Sequence, residues 1–193
     1  MKQRILMIIF VIVLGTLSTV LLTSVNQHLK PKIEKNKELK FKSALLDVFN
    51  IEYTKENIEE VFNRNIQVFE KDNVKFCKSS DDKIAFEFLG SGLWGNITGI
   101  IALKPDLKTI YGIKVIHQEE TPGLGGRIAE KEFLSQFKDK KILPQIVIIS
   151  KGKAVKENEV DGITGATMTS KAFEDILNKN IQRYLAILSS SGQ

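Results

Sequence analysis

The chain has 193 residues, 42% hydrophobic and 26% charged, with 13 glycines and four prolines, which suits one folded domain with an appended element and excludes long low-complexity disorder. Its net charge of +5 comes from lysines interleaved with acids, as in KIEKNKELKFK, and no aromatic-basic motif accompanies them, so no nucleic-acid partner is expected. A single cysteine, Cys77, excludes an internal disulfide, and His28 and His117 lie too far apart in sequence for a zinc-ligand spacing.

In chain order, the first element is apolar. Ile5 to Leu22, ILMIIFVIVLGTLSTVLL, carries no charge and with Thr23 to Val25 reaches about the ~20 residues that cross a bilayer as a helix. A cleaved signal peptide would have a shorter apolar run, about 7–15 residues, followed by small residues; here the chain continues SVNQHLK, so a retained anchor is expected. Lys2 and Arg4 favour a cytoplasmic N-terminus, but Lys30, Lys32, Lys35, Lys37, Lys40 and Lys42 crowd the other side, and charge alone leaves the orientation open.

After Pro31, placed at a first turn, residues 32–49 read as a helix with Leu39, Phe41, Leu45, Leu46 and Phe49 near helical spacing. A short helix is expected over residues 54–64. KIAFEFL, NITGIIAL, TIYGIKVIHQ and QIVIIS, rich in Ile, Val, Phe and Tyr, read as strands of a mostly antiparallel sheet. A short helix follows over residues 129–138. The last helix is the clearest: Ala172, Phe173, Ile176, Leu177, Ile181, Tyr184, Leu185 and Leu188 share one face, with Lys171, Glu174, Asp175, Asn178 and Lys179 opposite. The expectation is an α+β protein: a cytoplasmic tip and transmembrane helix (1–27), a helical connector (28–65) and a sheet domain (66–193) flanked by helices.

Just before the last helix stands DGITGATMTS, Asp161 to Ser170. A helix N-terminus offers unpaired N–H groups and partial positive charge, so Thr167, Thr169 or Ser170 suit capping. Capping accounts for one hydroxyl, two at most. It does not call for the small pair Gly165-Ala166, which leaves room for an anion such as phosphate to approach the backbone. A nucleotide P-loop fails: counted from Gly165, its second glycine falls on Ser170 and its metal-binding hydroxyl on Ala172. The dinucleotide fingerprint fails too, because Gly123-Leu124-Gly125 is followed by Ile128 at the third glycine position. The residues alone leave plain capping and a phosphate site both open. Two further stretches bear on the choice. Thr121-Pro122-Gly123-Leu124 suits a type II turn, and Gly92-Leu93-Trp94-Gly95 brackets the only tryptophan, either a buried anchor or a wall beside a planar ligand.

Taken together, the N-terminal anchor, GLWG, His-x-x-ETPGLGG and DGITGAT resemble the RnfG/NqrC family of flavin-bearing subunits in membrane redox complexes. The resemblance implies an FMN-binding domain with FMN joined through its phosphate to Thr167 by a flavin transferase that draws on FAD. It places Asp161, Thr164, Gly165, Ala166, Met168 and Thr169 in the attachment motif, with Thr164, Thr169 and Ser170 as supports or caps. It also places Trp94, Glu120, Thr121, Leu124 and Gly125 near the flavin. Lys114 or Arg127, if near the ring, would favour its reduced anionic form.

The shortness of the chain favours RnfG within the family. That implies an electron-relay subunit of an ion-translocating ferredoxin:NAD+ oxidoreductase (Rnf) complex, not catalytic alone, partnered by other membrane and peripheral subunits, with its flavin domain on the outer face of the cell membrane. The alternatives are an NqrC-like subunit of a sodium-pumping NADH:quinone oxidoreductase, or a membrane-tethered binding or assembly module without flavin. A hydrolase using Thr167 or Ser170 is disfavoured, since there is no Gly-x-Ser-x-Gly elbow and neither histidine has a visible partner.

Overall fold

An unbroken helix, α1 (Lys2–Phe49), opens the chain in the computed structural model, which describes residues 2–189. Met1 and residues 190–193, the outer ends of the first and last expected segments, lie outside the described residues. By its internal contacts the chain divides into two units, Met1–Lys40 and Phe41–Gln193.

The first unit is helix throughout its described residues, long and apolar enough to cross a bilayer. Thr16 and Thr19 return their hydroxyls to the carbonyls of Ile12 and Gly15, at 2.9 and 2.8 Å, so neither leaves an unpaired donor in the apolar run. Pro31 lies inside α1, not at the start of a new helix. Its ring removes one helical N–H, but at an exposed position water can serve the carbonyl one turn back.

In the second unit the last turns of α1 bury Ala44, Leu45, Leu46, Val48 and Phe49. Helix α2 (Ile58–Asn65) starts four residues later than expected. The Thr54 N–H donates to Asn57 Oδ1 at 2.6 Å, and this tight turn occupies the residues before the helix, whose N-cap position is Asn57. Five antiparallel strands follow in sequence order: β1 (Ile66–Lys71), β2 (Val74–Ser79), β3 (Ile84–Ser91), β4 (Asn96–Leu103) and β5 (Ile110–His117). The expected α+β class, an antiparallel sheet flanked by helices, is therefore found, with β1 and β2 added to the expected strands.

A 3-10 turn (Gly125–Ala129) and the short α3 (Lys131–Ser135) replace the single helix expected over 129–138. QIVIIS does not join the main sheet. Its central residues form β6 (Val147–Ile149), paired in parallel with β7 (Glu159–Asp161). Helix α4 (Thr167–Ser189) closes the fold.

The core lies between α4 and one face of the sheet. The register aligns Phe76, Phe86, Ile101 and Ile113 across four strands on that face. Phe173 of α4 meets Phe88 with ring centroids 5.7 Å apart, and Tyr184 meets Phe86 at 4.4 Å. Gly90 gives Ile176 its space, since a Cβ there would stand 2.5 Å from Ile176 Cγ1. Helix α4 thus runs back along β3 from its C-terminal end. Its N-terminus therefore sits at the end of the sheet where β3 turns into β4 and where β5 finishes.

The polar side of α4 is not all solvated. Asn178 accepts from the Ile146 N–H at 2.9 Å and donates to the Ile146 carbonyl at 2.8 Å, and the Glu174 carboxylate accepts the Ile148 N–H. These side chains serve backbone groups along β6 that would otherwise be buried without partners.

Candidate functional site

Three loops meet at that end of the sheet. Between β3 and β4 the Gly92 N–H donates to the Gly95 carbonyl at 2.8 Å, closing the turn that carries Leu93 and Trp94. After β5, the Leu124 and Gly126 N–H groups both donate to the Thr121 carbonyl, at 3.1 and 2.9 Å. Gly123 sits at φ +74°, as the third residue of a type II turn requires. The third piece is the N-terminus of α4, entered through Gly165 at φ +81°.

Glu120 joins all three. It is only 4% exposed. Its Oε1 accepts the N–H groups of Leu93 and Trp94 at 2.7 and 3.0 Å, and its Oε2 accepts the Thr169 hydroxyl at 2.7 Å. The carboxylate is a bridge between segments far apart in sequence, and three hydrogen bonds offset its burial.

Above this bridge lies a cleft of about 330 Å3, with Leu93, Trp94, Leu124 and Met168 as its large apolar walls. All four are exposed, Trp94 at 71%. Thr121, Gly125, Gly165, Ala166, Thr167 and Thr169 complete the lining. Of the residues expected from sequence, nine therefore share one cleft, with Glu120 beneath it. Leu93, not singled out from sequence, stands with them; its place inside the GLWG turn was the available signal.

Asp161 and Thr164 lie elsewhere, lining a neighbouring cavity of about 210 Å3 with Arg127, Gln136 and Lys151. Asp161 Oδ1 accepts the N–H groups of Lys153 and Ala154 at 3.0 and 2.9 Å, so its carboxylate organises the loop before β7. Neither cation considered beside a flavin ring lines the cleft: Lys114 pairs with Asp47 at 3.2 Å and Arg127 with Glu130 at 3.2 Å.

Burial separates the four hydroxyls that sequence left nearly equivalent. Thr169 is committed to Glu120, and Ser170 Oγ accepts the Ile163 N–H at 3.2 Å; both residues are buried. Thr164 and Thr167 are exposed, and only Thr167 faces the cleft. Thr167 is also the first residue of α4, where free N–H groups and the helix dipole favour an anion.

Residues 92–182 match the FMN-binding domain family. The match covers both the GLWG turn and the first turns of α4. The chain is 39% identical over 98 residues to the C subunit of the Na(+)-translocating NADH-quinone reductase of Haemophilus ducreyi, an alignment covering 48% of this chain and 38% of that protein. It is 36% identical over 109 residues to the same protein of Vibrio anguillarum, covering 52% and 43%. The alignments thus span about two fifths of these relatives' length. The fold superposes on the crystal structure of the corresponding Na(+)-translocating NADH-quinone reductase protein from Parabacteroides distasonis with a TM-score of 0.74 and 28% identity, covering 86% of this chain and 98% of that one. Shewanella oneidensis NqrC, at a TM-score of 0.68 and 19% identity, covers 82% and 100% and shares the fold. These likenesses accord with the resemblance to the RnfG/NqrC family and with an FMN-binding domain over residues 92–182. The relatives that match are of the NqrC kind, which favours that side of the resemblance over the RnfG assignment drawn from chain length.

Proposed function

We propose that the chain is a membrane-anchored electron-transfer flavoprotein of the NqrC type, carrying FMN on Thr167 through a phosphoester. The observation that carries this reading is the placement of one exposed threonine at the N-terminus of α4, inside a cleft with four large apolar walls. The donor set suits the group: a hydroxyl for the ester, helix N–H groups for a phosphate, and an indole with three apolar side chains for a planar ring.

Bound there, FMN would supply reversible uptake and release of electrons. The protein's part is to hold and shield it. Thr167 Oγ1 would form a bond to the FMN phosphorus of FAD while the pyrophosphate P–O bond breaks. AMP leaves, and the hydroxyl proton passes to a base on the flavin transferase. The α4 N-terminus would then solvate the remaining phosphate charge. Asp161, outside the lining of the cleft, would act by fixing the loop that leads into the motif.

The relatives are named as subunits of a sodium-translocating NADH-quinone reductase, so partners of that kind are better supported than those of a ferredoxin:NAD+ complex. The apolar N-terminal helix supports a membrane anchor. The proposed topology keeps the flavin domain on the outer face. Co-expression with a flavin transferase followed by intact and peptide mass measurement tests the attachment. A flavin-free protein would instead favour the tethered binding module.

A further inference from the structure

We propose that Glu120 is a positioning residue of the flavin site: it sets the Trp94 loop and the first turn of α4 in register from beneath the cleft, without itself contacting the cofactor. The inference rests on the flavin reading above and assigns Glu120 a different part from the direct contact that the family resemblance implies.

Three hydrogen bonds within the protein engage both oxygens of the carboxylate. Oε1 is committed to two amides of the Trp94 loop and Oε2 to the Thr169 hydroxyl. Glu120 is buried and absent from the lining of the cleft. Its own N–H donates to Gln118 Oε1 at 2.6 Å, which fixes the backbone from which the side chain departs. Two glycines keep the space it occupies. A Cβ at Gly92 would stand 2.5 Å from Glu120 Oε1, and one at Gly125 2.8 Å from Oε2.

The two sides of the cleft depend on this carboxylate in different ways. Trp94 is 71% exposed, so few side-chain contacts hold it, and its backbone N–H bond to Glu120 does much of the placing. Thr167 is fixed through Thr169, two residues along in the same helical turn. One buried side chain therefore sets the distance between the indole wall and the attachment hydroxyl. Small displacements of reacting groups are costly in rate, so the carboxylate governs how readily Thr167 accepts the flavin.

Trp94 is the only tryptophan, so its fluorescence reports this loop directly in flavin-free protein. The experiment compares Glu120→Ala, Thr169→Val and Thr169→Ser in the full-length chain. It measures Trp94 fluorescence anisotropy before flavin is added, then the rate of FMN attachment with a flavin transferase and FAD. The expected result is lower anisotropy in Glu120→Ala and attachment slowed roughly tenfold or more in both Glu120→Ala and Thr169→Val. Thr169→Ser, which keeps the hydroxyl, should restore the rate. Unchanged anisotropy in Glu120→Ala, or equal rates for Thr169→Val and Thr169→Ser, overturns the proposal. Should Glu120→Ala fail to fold, the Thr169 pair decides alone. Failure of the wild-type chain to accept FMN would count against the flavin reading, while Trp94 anisotropy would still judge the clamp.

Discussion

Gly125 and Thr169 lie so close that a Cβ on Gly125 would stand 2.6 Å from the Thr169 hydroxyl oxygen. Both residues are buried, and the same hydroxyl is bound to Glu120. Gly125→Ala must therefore push Thr169 away from its acceptor. The expected cost is about 1–3 kcal/mol, the price of an unsatisfied buried group, read as a lower urea midpoint. An unchanged midpoint would mean that the turn after β5 can move freely.

Asn178 acts as a substitute strand for Ile146, giving one hydrogen bond and accepting another. Asn178→Ala leaves a buried N–H and a carbonyl without partners. A loss of about 2 kcal/mol is expected in equilibrium unfolding, larger than for substitution of the exposed Lys179 on the same helix.

Asp161 binds the amides of Lys153 and Ala154. Asp161→Ala should speed hydrogen exchange at those two amides and cost about 1 kcal/mol, since water can partly replace the carboxylate at this surface loop. Protection of the Trp94 amide, held by Glu120, should stay as it is.

Cys77 is buried, and that burial pushes its thiol from an ordinary 9.0 up to about 12. In the native protein at pH 8 the thiol is protonated and enclosed, so a maleimide should react only after denaturation. The sign for stability follows from the raised value. The contribution is complete below pH 9, where the unfolded thiol is also protonated, and is lost as pH rises towards about 12. A Cys77→Ala variant should show a shallower stability decline across that alkaline range.

Much of the architecture was legible because its signals are local. The apolar run from Ile5 to Leu22 and the spacing of Phe173, Ile176, Leu177, Ile181 and Tyr184 each specify a helix without reference to the rest of the chain. β4 was legible to the residue for the same reason, since NITGIIAL ends in an unbroken apolar run rich in isoleucine. β1 and β2 were missed because IQVFEK and VKFCKS mix in polar and charged residues, exposed on the sheet surface in Gln67, Glu70 and Lys75. The parallel pair β6–β7 depends on partners twelve residues apart and on side chains of α4, which no local pattern encodes.

At the site, the three motifs were visible but their mutual arrangement was not. Spacing within DGITGATMTS leaves its four hydroxyls nearly equivalent, and only the resemblance pointed to Thr167; in the structure, burial assigns Thr169 to Glu120 and Ser170 to Ile163. Asp161 reads as part of the same motif as Thr167, yet Gly162–Gly165 carry the chain from one cavity to the other. Glu120, one letter in a turn sequence, proves to be the group on which all three stretches converge.

The measurement that bears most directly on a flavin held by Thr167 is peptide mass spectrometry of the chain co-expressed with a flavin transferase, beside its Thr167→Val variant. One FMN, less a water, is predicted on the peptide containing Thr167, and no covalent flavin in the variant, which should melt as the wild type does. Covalent flavin that persists in Thr167→Val, or its absence from wild-type protein, would contradict the assignment.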